Sequence, residues 1–181
     1  MLIDAANSYL LVIDIQEKLV PAVHQSDTLI ERSRWLIEIA HKLEVPVLSS
    51  EQYPQGLGRT VGPVAEVLGE RPAEEKLHFS CAAEPSCLAA MDALGREQAV
   101  VIGMETHVCV LQTALGLRQL GREVFVVGDV VSSRDPVDKD LALARMRQAG
   151  VWVVSREMVV FEWMHRSGTD SFREISRNYL R

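Results

Sequence analysis

Short apolar runs that do not alternate with polar residues constrain this chain most. They are YLLVI (9–13), VPVLSS (45–50), QAVVIG (98–103), EVFVVG (123–128) and VWVVS (151–155). A strand with one wet face alternates apolar and polar side chains. Runs that stay apolar belong to strands covered on both faces, as in a parallel sheet. A weaker run, EKLHF (75–79), supplies a sixth strand. Helix-period segments fill the gaps. Leu29, Ile30, Leu36, Ile37, Ala40 and Leu43 form one apolar stripe over 28–43. Val108, Leu111, Leu115 and Leu120 form another over 107–120. Leu141, Ala144 and Met146 form a third over 138–149, with Gly150 placed to stop it. The tail, 156–181, has room for one or two helices and contains Trp163 and Phe172. Repeated strand–helix units predict a three-layer α/β/α sandwich, Rossmann-like, around a six-stranded, mainly parallel sheet with right-handed crossovers. With 181 residues, one domain over 1–181 is expected.

Composition excludes some functions. A net charge of -6 argues against a nucleic-acid binder, which needs a basic excess or patch. No apolar run reaches the ~18 residues that span a bilayer. The opening MLIDAANSYLLVID has no basic region, and Asp4 and Asp14 bracket its apolar stretch, so no signal peptide is expected. Cys81, Cys87 and Cys109 are too few, and odd in number, for a disulfide framework. A reducing, cytoplasmic location is the expectation.

In parallel sheets ligands bind beyond the carboxyl ends of strands, where the strand order reverses. Three chemically distinctive residues fall at such ends: Asp14 after YLLVI, Lys76 in the weak third run, and Cys109 in GMETHVCV (103–110). Each has a bland reading. A lone cysteine near a helix start is commonly packed, an Asp after a strand caps a turn, and most lysines are solvated. Together they offer a base, a cation and a nucleophile, and a helix N-terminus and a cation both lower a thiol's pKa. Metal sites fit poorly. His107 and Cys109 are two apart and His78 and Cys81 three apart, and neither has a second pair at zinc-site spacing. GLGRTVG (56–62) matches neither a dinucleotide fingerprint nor a Walker A loop, and reads as a flexible active-site loop. Glu51, Gln52 and Tyr53, just before it, are placed to give a substrate polar contacts.

These residues resemble the isochorismatase-like cysteine hydrolases. LLVIDIQEKL (10–19) is similar to that family's opening strand and Asp-x-Gln motif, and GMETHVCV to its strand–loop–Cys motif. EQYPQGLG (51–58) and SSRDPVDKDLALARMRQAG (132–150) resemble the isochorismatase domain-containing branch. The resemblance implies the isochorismatase-like hydrolase fold and a catalytic triad of Asp14, Lys76 and Cys109. It also implies a cis peptide between Met104 and Glu105, with the amides of Glu105 and Cys109 as an oxyanion hole. Gln16, Glu51, Gln52, Tyr53 and Trp163 are the candidates for the pocket wall. Nicotinamidases of the family carry an Asp-x-His metal motif after the second strand. Here that region reads SSEQYPQGLG, so no metal and no cofactor are expected.

The expectation is therefore a cysteine-nucleophile hydrolase of a small amide or related acyl compound, acting through a covalent acyl-enzyme. The alternatives are a non-catalytic interaction protein that keeps the fold, and a hydrolase of an isochorismate-like metabolite. The expected partners are a small-molecule substrate and further copies of the chain as a dimer or higher homo-oligomer, with no nucleic acid and no membrane.

Overall fold

A computed structural model describes residues 1–180. Its strands are β1 (Ser8–Ile13), β2 (Val47–Gln52), β3 (Glu74–Lys76), β4 (Gln98–Met104), β5 (Glu123–Ser132) and β6 (Trp152–Val154). They form one sheet in the order β3-β2-β1-β4-β5-β6, and every neighbouring pair is parallel. The chain begins in the centre with β1, builds outward through β2 to β3, then returns to the centre for β4. The order reverses between β1 and β4, so their carboxyl ends flank the switch point.

Among the described residues eight α-helices accompany the sheet: α1 (Ser26–Lys42), α2 (Pro54–Leu57), α3 (Gly62–Leu68), α4 (Pro85–Asp92), α5 (Leu111–Gln119), α6 (Pro136–Gln148), α7 (Arg156–Met164) and α8 (Asp170–Tyr179). The pleat of β1 shows why its run is apolar throughout. Leu10 and Val12 pack into one core with Leu36, Ile37 and Ala40 of α1 and Val159 and Val160 of α7. Tyr9, Leu11 and Ile13 pack into the other with Met91 of α4, Leu117 of α5 and Met146 of α6. Among the described residues no helix is long and apolar enough to cross a membrane.

Gly103 lets the two central strands meet. Its φ is +118°, and a Cβ there would lie 2.1 Å from the Ile13 carbonyl oxygen. Only glycine fits so close an approach. The pairing of β4 with β5 also slips between Val101 and Gly103, because β5 carries extra residues between Val126 and Val131 there.

Three sequence expectations need correction. β2 runs to Gln52, so Glu51 and Gln52 belong to the strand rather than to the loop behind it. β3 stops at Lys76; Leu77 and Phe79 are exposed. GLGRTVG is not a free loop. It is strapped over the segment after β1 by bonds from Glu17 N to Arg59 O (3.0 Å), Lys18 N to Leu57 O (3.1 Å) and Val61 N to Ile15 O (2.9 Å). Backbone groups with such partners do not swing freely.

Candidate active site

Asp14 is the first residue after β1. It turns the chain with a φ of +52°, a left-handed conformation that Asp tolerates better than most side chains. Its N–H still bonds Ser50 O at 3.1 Å, and its carbonyl accepts from Gln16 N at 2.8 Å. The carboxylate, wholly buried, is engaged at both oxygens. Oδ1 accepts from the Ser50 hydroxyl at 2.8 Å and Oδ2 from Lys76 Nζ at 2.8 Å.

Lys76 ends β3, in register with Gln52. Its side chain is 0% exposed, as is that of Asp14. Besides Asp14, the ammonium donates toward Gln52 Oε1 (2.6 Å), Phe79 O (3.0 Å) and His78 O (3.3 Å). Burial alone would lower its pKa, but the Asp14 carboxylate outweighs it, with Cys109 and Cys81 adding. The ammonium is held above its ordinary pKa and stays charged.

Cys109 sits in a single π-helical turn, Thr106–Val110, between β4 and α5. Such turns often occur at functional sites. The Met104–Glu105 peptide that leads into it is cis. The thiol is 6% exposed and lies close enough to the Asp14 carboxylate and the Lys76 ammonium to feel both charges. Burial pushes the thiol pKa up, Asp14 pushes it further, and Lys76 opposes both. A neutral thiol on a carboxylate beside a fixed ammonium can pass its proton to oxygen as sulfur forms a bond.

The structure thus brings Asp14, Lys76 and Cys109 together and disperses the pocket candidates. Gln16 is wholly buried, and its amide is spent on the main chain. Nε2 donates to Gln52 O (3.0 Å) and Gly58 O (2.7 Å), and Oε1 accepts from Gln52 N (2.7 Å). It braces β2 against the turn after β1, with both amide hydrogens used on the main chain. Glu51 alternates with Ser50 and Gln52 and points to the opposite face of the sheet. There Thr60 N (2.7 Å), Thr60 Oγ1 (2.8 Å) and Arg59 Nη1 (2.9 Å) hold its carboxylate. Tyr53 is half-exposed and lines a surface cavity with Pro54, Gln55, Glu75, Lys76, Leu77 and Glu84. Trp163 is a correction. Its indole N–H bonds Ser8 Oγ at 2.8 Å, at the amino end of β1, so it sits a strand's length from Asp14. It belongs to the core between the sheet and α1.

Of the residues expected to supply oxyanion amides, Glu105 caps the turn after β4 and Cys109 lies within it. The Glu105 carboxylate is bound by Arg134, with Nε at 2.7 Å from Oε1 and Nη2 at 3.3 Å from Oε2. His107 meets Ser133 Oγ through Nδ1 at 2.9 Å and does not join the Asp14 cluster. Sequence reasoning missed Ser50, the second support of Asp14. Its signal was two serines closing an otherwise apolar run, VPVLSS. Cys81 was also missed as a neighbour. It is buried with Cys87 in the core on that face of the sheet. Among the described residues no group of three or more His, Cys, Asp or Glu side chains is arranged to share a metal ion.

A three-layer α/β protein with a buried acid, ammonium and thiol at its switch point is the class that the fold and site define. The isochorismatase domain model matches residues 8–158. Isochorismatase domain-containing protein 2A from Mus musculus is 37% identical over 172 residues, covering 94% of this chain and 82% of that one. Among solved structures, the MAR1 ribonuclease from Caenorhabditis elegans superposes with a TM-score of 0.93 at 35% identity, covering 100% of this chain and 93% of that one. YcaC from Pseudomonas aeruginosa, solved with hexane-2,5-diol and covalent acrylamide, superposes with a TM-score of 0.91 at 25% identity, covering 99% and 92%. The chain belongs to the isochorismatase-like hydrolase family.

Proposed function

We propose that this protein is a cysteine hydrolase of small amides or related acyl compounds. The observation that carries the reading is the buried Cys109 thiol beside a carboxylate that a fully buried ammonium holds in place. As Sγ attacks the carbonyl carbon, Asp14 takes the thiol proton. The oxygen that becomes negative lies against the amides of Glu105 and Cys109. When the C–N bond breaks, Asp14 returns the proton to the leaving amine, and a thioester remains. Asp14 then takes a proton from water as its oxygen attacks the thioester carbonyl. The thiolate leaves, recovers that proton, and the acid departs. Lys76 keeps its proton throughout.

The covalent acrylamide on the Pseudomonas aeruginosa neighbour supports the reading, because acrylamide is an electrophile that nucleophilic side chains capture. The Caenorhabditis elegans neighbour is called a ribonuclease. A chain of net charge -6 lacks the basic excess that phosphate backbones select, so a small-molecule substrate is the reading kept here. Exposed Leu77, Phe79 and Leu120 favour a homo-oligomer.

The test is a panel of small amides and ureas, with intact-mass detection of an acyl adduct on Cys109. Cys109→Ala should keep its fold and lose all turnover. Undiminished turnover in that variant would sink the reading.

A further inference from the structure

The Lys76 ammonium has three hydrogens to give, and it has more acceptors than hydrogens. Asp14 Oδ2 (2.8 Å), Gln52 Oε1 (2.6 Å) and Phe79 O (3.0 Å) take one each, and His78 O at 3.3 Å competes as a fourth. None is left for the thiol or for a substrate oxygen. Lys76 therefore acts on Cys109 by charge alone, and the effect depends on where the ammonium is held. Gln52 Oε1 makes the shortest of its contacts. That amide is fixed in turn: Nε2 donates to Leu77 O at 2.9 Å, and the main-chain N–H and carbonyl of Gln52 are both clamped by Gln16. Gln52 is itself 7% exposed, so water does not readily replace it.

We infer that Gln52 is a positioning residue. Its side-chain oxygen holds the Lys76 ammonium where the charge favours ionisation of Cys109, and it touches neither the thiol nor the substrate. The inference rests on the proposed nucleophilic role of Cys109.

The experiment reads the rate of alkylation of Cys109 by iodoacetamide between pH 5 and 10, by peptide mass spectrometry, with thermal unfolding of each variant as the check on folding. Gln52→Met keeps the shape and removes the acceptor without adding charge. Gln52→Glu keeps an acceptor oxygen but sets a second carboxylate on the ammonium. In both, labelling at pH 7 should slow about tenfold, and the profile should move up by about one pH unit, the equivalence of one pKa unit to one decade of thiolate. A purely structural Gln52 would lower the unfolding temperature and leave the profile in place, and that result overturns the inference. So does unchanged or faster labelling in Gln52→Met. If Gln52→Met does not fold, Gln52→Leu, which also removes the acceptor without adding charge, decides on the same criterion. Because no turnover is read, failure of the hydrolase reading, seen as activity surviving in Cys109→Ala, stays distinct from failure of this one.

Discussion

Two ion pairs flank the Cys109 turn and differ in almost everything except their chemistry. Asp14–Lys76 joins two side chains that are both 0% exposed, at 2.8 Å, each with further hydrogen bonds. Glu105–Arg134 joins a 10% exposed carboxylate to a 62% exposed guanidinium, at 2.7 Å. In the first pair neither charge can turn to water if its partner is lost. In the second, the guanidinium is mostly in water, and the carboxylate keeps a water-facing edge with His107 Nε2 3.9 Å away. The shorter contact is thus the weaker constraint, because burial rather than distance sets what each pair is worth.

The sharpest way to break this contrast is Lys76→Met. It strands a buried carboxylate, and losing one partner of a buried pair typically costs about 3–5 kcal/mol. The urea midpoint should fall accordingly. Adding Asp14→Asn to the same chain should recover much of the loss, because replacing a whole buried pair by neutral groups is often nearly neutral. If the double variant is as unstable as Lys76→Met alone, the stranded charge is not the cause.

The second test separates brake from accelerator at the thiol. After burial, the Asp14 carboxylate is what most raises the pKa of Cys109, and Lys76 works against it. Asp14→Asn should therefore make Cys109 a better target for iodoacetamide at pH 7, by about tenfold if the thiol pKa falls one unit. Turnover of any substrate should vanish in the same variant, since the proton carrier is gone. Slower labelling would mean that Asp14 assists ionisation more than its charge opposes it.

Third comes the pair with one partner in water. Arg134→Ala removes a guanidinium that is mostly in water, and exposed pairs contribute about 1 kcal/mol or less. Its loss should be several times smaller than that of Lys76→Met and should shrink further at high salt. An equal loss at both sites would show that burial is not what separates them.

The same distinction explains what the sequence reveals. Asp14 is legible because it closes an apolar run, and Cys109 because its turn follows another; Lys76 sits inside a weak run whose pattern does not mark where the strand ends. The all-parallel sheet is legible from the same apolar runs. Gln16 and Gln52 look like substrate contacts because an amide reads the same whether it faces a ligand or the protein; in the fold Gln16 bonds Gln52 N, Gln52 O and Gly58 O, and Gln52 bonds Lys76 Nζ and Leu77 O. Trp163 is misplaced because a tail helix can dock at either end of the sheet, and nothing local to it records the bond to Ser8. Ser50 is overlooked because β2 reads two residues short, which leaves its hydroxyl looking like a strand terminus rather than a neighbour of Asp14. Side-chain partners far along the chain are the part that periodicity does not encode.

The smallest effect belongs to Glu51, on the opposite face of β2 from Gln52. Its burial would raise the carboxyl pKa, but the Thr60 N–H, Arg59 and the Thr60 hydroxyl together hold it below the ordinary carboxylate value. The unfolded chain therefore binds a proton more readily there than the native one does. The stabilisation is fully present above the unfolded pKa and is lost as pH falls through the lower, folded one. Glu51→Gln, which cannot titrate, should make stability less steep between pH 5 and 3, moving the acid midpoint by only about a few tenths of a pH unit. Equilibrium unfolding across that range is the measurement. A steeper acid limb in Glu51→Gln would reverse the sign assigned to Glu51, and would mean that its burial outweighs Thr60 and Arg59.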